Sequence, residues 1–160
     1  MRSYASYQGY FSVLRREKRE FKMKLVEKYQ VLKEKYLYEI VLLKEGIFYK
    51  TFYDDAKILW YLFEYKYVGD CVSFGITPYD KVIAKLQRLG IGFVVIDKDN
   101  EVLRCKKEKE DYRSYLSLAS RSFEKKKKEE EILEKVARVL DSTDSYDRLN
   151  QILDEFLEQV

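Results

Sequence analysis

The sequence predicts a mixed α/β (α+β) domain, a small mixed sheet with packed helices, flanked by N- and C-terminal helices. Between residues 40 and 105, short apolar runs bounded by turn residues alternate with stretches whose apolar positions recur every three or four residues. Their order, β-β-α-β-α-β-β, belongs to a compact mixed sheet with helices against it. Outside those limits the periodicity is helical only. With 160 residues, 46% of them hydrophobic, the chain can bury an ordinary core without disulfide or metal staples.

The elements arise from local chemistry. Phe11 to Tyr36 reads as a helix, because Val13, Leu14, Phe21, Leu25, Val26, Tyr29 and Leu32 recur mostly at three- and four-residue intervals. Ile40–Leu43 is a short buried strand, Glu45-Gly46 a turn, and Ile47–Phe52 a strand that pairs back as a hairpin. Ala56, Leu59, Trp60 and Phe63 mark one face of a helix that starts near Asp54, with Asp54 and Asp55 suiting its positive end. Val72–Ile76 is a strand. Thr77 is expected as an N-cap with Pro78 in the first helical position, leading a helix whose face is Val82, Ile83, Leu86 and Leu89 and whose end is Gly90. Phe93–Ile96 is a buried strand, and residues 97–100 turn it into Glu101–Cys105. Beyond residue 110 two stripes stand out: Ile132, Leu133, Val136, Val139 and Leu140, then, after a Ser142-Thr143-Asp144 cap, Leu149, Ile152, Leu153, Phe156 and Leu157. Such stripes either close on the chain's own core or dock a second protein.

Charge divides the chain in the same way. The net charge is only +3, but residues 1–30 carry 8 basic and 3 acidic side chains, whereas residues 111–160 carry 9 and 12. We therefore read a basic helical arm (1–30), an α/β domain (31–110) and a helical C-terminal extension (111–160). Arg15, Arg16, Lys18 and Arg19 in the arm are candidate phosphate contacts, since cations on one helix displace counterions from nucleic acid. The acidic end is the poorer nucleic-acid surface and the better protein-binding one.

Several chemistries are excluded or disfavoured. With no histidine, imidazole acid–base chemistry and histidine metal sites are absent. Two cysteines, Cys71 and Cys105, allow neither a disulfide framework nor a four-cysteine zinc site and read as small buried hydrophobes. Asp97, Asp99 and Glu101 alternate like calcium ligands, but the glycine and remote glutamate of a calcium loop are missing, so a hairpin turn is expected. Gly90-Ile91-Gly92 precedes a strand and lacks a third glycine, so it is no dinucleotide fingerprint. Asp55 with Glu64 and Lys66 is the best nuclease-like trio, and Glu64 and Lys66 share a face only on a strand. No catalytic residue, metal or cofactor is assigned. No uncharged apolar run approaches the length of a spanning helix, and Met1–Tyr10 lacks a signal-like stretch, so the expectation is a cytoplasmic protein without a membrane partner.

The run from Lys44 to Lys57, K-E-G-I-F-Y-K-T-F-Y-D-D-A-K, resembles the R-x-G-D-F-Y-E-x-F-x-D-D-A-K segment of the N-terminal mismatch-recognition domain (domain I) of the MutS family. Gly75-Ile76-Thr77-Pro78-Tyr79, with the helix to Gly90 and the strand Phe93–Ile96, is similar to that family's G-V/I-P-Y-H segment with its own helix and strand, and Leu32–Tyr36 to the helix before its first strand. The likeness spans roughly residues 30–105. It implies that Phe48 is an apolar wedge for mismatched or distorted duplex and Tyr49 its stacking or packing neighbour. Lys50 stands where the family has a glutamate, and Ile47 where it has an aspartate. A group that accepts a base N–H has become a cation suited to phosphate or acceptor edges. Lys44 and Lys57 flank the motif as candidate backbone contacts. The family's phosphate-binding G-x-x-x-x-G-K-[ST] loop is missing. The resemblance thus implies a stand-alone, non-catalytic DNA- or RNA-binding module, an accessory factor of a reverse transcriptase in a diversity-generating retroelement. The other reading is a protein–protein adaptor that docks through its C-terminal helices and has no nucleic-acid binding of its own.

Overall fold

The structure, a computed structural model, describes residues 4–141 and 146–159. The chain divides into two units, Met1–Ser120 and Arg121–Val160. The first holds one six-stranded mixed sheet with helices on both faces. Its elements run α1 (Tyr4–Lys35), β1 (Ile40–Glu45), β2 (Phe48–Phe52), α2 (Tyr53–Phe63), β3 (Tyr67–Val68), β4 (Cys71–Gly75), α3 (Tyr79–Arg88), β5 (Phe93–Asp97) and β6 (Asn100–Cys105). They are followed by α4 (Lys109–Leu140), which continues into the second unit, and α5 (Tyr146–Leu157).

The strand order is β3-β4-β2-β1-β5-β6. β1 and β5 pair in parallel, and every other neighbouring pair is antiparallel. Strand alternation sorts the core into two layers. Ile40 and Leu42 of β1 and Phe93 and Val95 of β5 face the cluster built by α2, α3 and the start of α4. Val41, Leu43, Val94 and Ile96 face the other way, onto Leu25, Val26, Tyr29 and Leu32 of α1. Both central strands are buried on both faces, which is why they read as unbroken apolar runs.

Local expectations meet three differences. Of the hairpin β3–β4, the sequence marks only the second strand. β3 is only Tyr67–Val68, too short to carry a period, and it is made by a two-residue loop in which Gly69 and Asp70 both have positive φ. Thr77 does not cap α3. The cap position falls on Pro78, in helical conformation and without a side-chain hydrogen bond, because the chain already turns through Ile76 C=O accepting from the Tyr79 amide. Cys71 and Cys105 are partly rather than fully buried, each at the margin of a cluster. Gly90 takes φ +71 just past α3, while Ile91 N–H reaches back to Leu86 C=O, the left-handed stop that the sequence implies. The expected Ser142-Thr143-Asp144 cap lies outside the described residues.

Of the C-terminal stripes, Ile132, Leu133, Val139, Ile152, Leu153, Phe156 and Leu157 are exposed. By contrast Tyr112 and Ala119, in the first part of α4, are buried in the sheet unit.

Candidate nucleic-acid interface

The β1–β2 hairpin presents Phe48, the residue that the sequence resemblance singles out. Its loop is two residues long, Gly46-Ile47, with Gly46 at φ +59 and Glu45 facing Phe48 across the ladder. Because β2 alternates, Phe48 and Tyr49 point to opposite faces, and the structure decides which is free. Phe48 is 45% exposed, whereas Tyr49 is 7% exposed. Tyr49 points into the α2–α3 layer, stacked 5.5 Å from Phe74 and 4.4 Å from Tyr79. Both faces of its ring are taken, so Tyr49 is a packing residue and offers no platform to a base. Beside Phe48, Ile47 and Ile76 are 62% and 55% exposed, and Ile76 N–H donates to Ile47 C=O. The hairpin tip is therefore a small apolar knob of Ile47, Phe48 and Ile76.

The cations of the motif are partnered. Lys50 pairs with Glu45 on the same face of the hairpin, Lys44 with Asp97 at 2.9 Å, and Lys57 with Asp54 at 3.3 Å. The Asp97 hydrogen bond and charge raise the Lys44 ammonium above its ordinary range, and Lys44 in turn lowers the Asp97 carboxyl. Lys57 is on α2, one turn beyond the far end of β2, so it does not share the tip with Phe48. At the tip itself, positive and negative charges are nearly matched.

The D-D-A-K part of the motif has an interior role. Asp55 is completely buried. Oδ2 accepts the Tyr29 hydroxyl at 2.7 Å and the Val41 amide at 2.9 Å; Oδ1 accepts Lys33 Nζ at 2.7 Å and the Tyr112 hydroxyl at 2.6 Å. Val41 lies beyond the last β1–β2 pair, Leu43 with Lys50, so the carboxylate replaces the acceptor that β2 no longer supplies. Lys33 also donates to Glu39 C=O and sits 4.5 Å over the Tyr112 ring. The nuclease-like trio does not form: Asp55 is sealed and saturated, while Glu64 is the exposed, left-handed residue that ends α2. The sequence held a signal for this hub, since Asp55 falls on the apolar face of α2 with Ile58, Leu59 and Leu62.

Asp97, Asp99 and Glu101 are equally committed, to Lys44, Lys28 and the Tyr36 hydroxyl. They form a hairpin turn with an ion-paired rim.

Free positive charge lies on α1. Arg15, Arg16, Lys18 and Arg19 are exposed, and none makes an ion pair with a described residue. Phe11, Ser12, Arg15, Arg16 and Arg19 line one cleft of about 630 Å³, so three guanidinium groups share a helix face and Lys18 lies off it. The Lys28–Asp99 pair, 2.9 Å, shows the direction of α1. It puts Lys28 beside the β5–β6 turn, which the Lys44–Asp97 register places at the same end of the sheet as the Phe48 hairpin. Residues 11–19 are upstream of Lys28, about 14 to 26 Å farther along the axis. The arm therefore leaves the sheet at the end that carries the apolar knob.

No protein-family model matches the chain, and no curated protein matches it significantly.

Proposed function

We propose that this protein is a non-catalytic nucleic-acid-binding module that holds distorted duplex with an apolar wedge and a basic helical arm. The observation that carries the proposal is the exposed Phe48 ring on a hairpin tip at the sheet end from which the arginine-bearing arm projects. An exposed apolar side chain, with unpaired cations on an arm that extends past it, suits a duplex that is bent or unstacked, where the wedge fills an opened base step and the arm supplies sequence-independent affinity. Lys50 engages Glu45, so the position at which mismatch-recognition domains carry a carboxylate supplies no base-reading group. The module reads deformability rather than base identity. The wider setting implied by the sequence resemblance, an accessory role beside a reverse transcriptase in a diversity-generating retroelement, belongs to the same proposal.

Fluorescence anisotropy with regular, mismatched and bulged duplexes of DNA and RNA, and with single strands, tests it. Tighter binding to the distorted duplexes, with an affinity that falls steeply with salt, is expected. Absence of binding to all of them at low salt overturns it.

A second reading is favoured by one specific observation. The apolar stripe of α5 is exposed, Phe156 at 62% and Leu157 at 69%, and it belongs to an acidic segment. This is the surface of an adaptor that recruits a protein partner. In this reading the protein binds no nucleic acid of its own; a folded Leu153→Glu/Phe156→Glu variant that loses copurification of the reverse transcriptase supports it, and unchanged copurification refutes it.

A further inference from the structure

The end of the sheet opposite the hairpin also carries positive charge. A cleft of about 390 Å³ opens between the last residue of α1, the α1–β1 connection, Arg104 of β6 and the β6–α4 connection. Five cations line it, Lys35, Arg104, Lys106, Lys107 and Lys109, against two carboxylates. One of these, Glu39, is already bound by Arg104 through two hydrogen bonds of 2.8 and 2.7 Å. Lys35 and Arg104 both sit 4.9 Å from the Tyr36 ring. Lys106, Lys107 and Lys109 make no ion pair with a described residue, in contrast to Lys28, Lys33, Lys44, Lys50 and Lys57 of the same unit, each of which holds an acidic partner. The first turn of α4, with its positive dipole end, forms part of the wall.

We propose that this cleft is a second contact for bound nucleic acid, taking a backbone phosphate on Lys106, Lys107 and Lys109 without reading a base. The aromatic rings exclude base stacking there. Tyr36 is buried beneath its two cations, and Tyr38 is flanked by Tyr112 at 6.2 Å and Arg113 at 4.9 Å. What the cleft offers is an excess of positive charge, five cations against the Glu39 and Glu108 carboxylates, and its ammonium groups recognise phosphate as point charges. β1 separates cleft and hairpin tip by its six residues, about 20 Å, so a ligand touching both spans about six base pairs.

The inference rests on the nucleic-acid reading above, and the experiment keeps the two apart. Full-length wild type, a Lys106→Gln/Lys107→Gln/Lys109→Gln variant and a charge-matched control, Lys127→Gln/Lys128→Gln/Lys135→Gln, are titrated with a 20-base-pair bulged duplex over a range of salt. The expected result is a fall of about 2–3 in the salt slope and a loss of about tenfold or more in affinity at low salt for the cleft variant, with the control near wild type. A cleft variant that binds like wild type, or a control that loses as much, overturns the inference and leaves the wedge reading standing. No binding by wild type overturns both. Amide shifts of residues 106–109 that saturate with inorganic phosphate but do not respond to the duplex assign the cleft to a free anion and also overturn it.

Discussion

Tyr29 on α1 and Tyr112 on α4 lie in opposite layers of the fold, yet both donate to the same carboxylate, Asp55, at 2.7 and 2.6 Å. Asp55 thereby ties the two helical layers to each other and to β1, whose Val41 amide it also accepts. A buried charge is tolerated only when it is paired and its lone pairs are filled, and here Lys33 and three further donors do both.

Removing that charge is predicted to be among the most damaging single changes in the sheet unit. Asp55→Ala leaves Lys33 partly buried without its anion and two hydroxyls and an amide without an acceptor. A loss of about 3–5 kcal/mol is expected, the range for breaking a buried pair. Urea unfolding followed by circular dichroism checks it, and a loss below about 1 kcal/mol refutes the hub.

The same site predicts alkaline instability. Burial, and then the Asp55 charge, hold the Tyr29 and Tyr112 phenols well above the ordinary tyrosine range. In the unfolded chain both titrate near pH 10. A folded pKa above the unfolded one contributes stability that is fully present below about pH 10 and is lost as pH rises beyond it. Each phenol contributes a slope of about 1.4 kcal/mol per pH unit there. Denaturant midpoints measured from pH 9 to pH 11 should fall more steeply for wild type than for Tyr29→Phe/Tyr112→Phe, although the variant starts lower.

Adjacent residues on β2 are predicted to separate binding from stability. Phe48→Ala removes a half-exposed ring and should cost under about 1 kcal/mol of stability, but should weaken binding to bulged duplex by about tenfold, with little effect on regular duplex. Tyr49→Ala opens a cavity beneath Phe74 and Tyr79 and should cost about 3–5 kcal/mol. Equal effects of Phe48→Ala on bulged and regular duplexes refute the wedge.

The arm is predicted to act through charge alone. Arg15→Gln/Arg16→Gln/Arg19→Gln should lower the salt slope by up to about 3 and weaken all nucleic acids alike. Thermal unfolding should be unchanged, since these side chains contribute nothing to either core cluster. A selective effect on one type of duplex would give the arm a reading role instead.

What the sequence determined by itself was whatever local periodicity and turn chemistry encode. The doubly buried strands β1 and β5, the hairpin at Gly46, the face of α3 and its stop at Gly90 are written in runs of neighbouring residues, and the structure has them within a residue or two. The tertiary structure alone decided the rest, because it depends on residues far apart in the chain. Period-two alternation put one of Phe48 and Tyr49 outward but could not choose between them; the rings of Phe74 and Tyr79, distant in sequence, claim Tyr49 and leave Phe48 to solvent. Lys44, Lys50 and Lys57 read as free cations until their acids are placed beside them. Asp55 reads as a surface acid at a helix start until four donors from α1, β1 and α4 converge on it. Charge and shape complementarity across the sheet are properties of the folded chain, and they turn a motif of surface-seeming residues into one exposed ring, one buried carboxylate and a set of matched pairs.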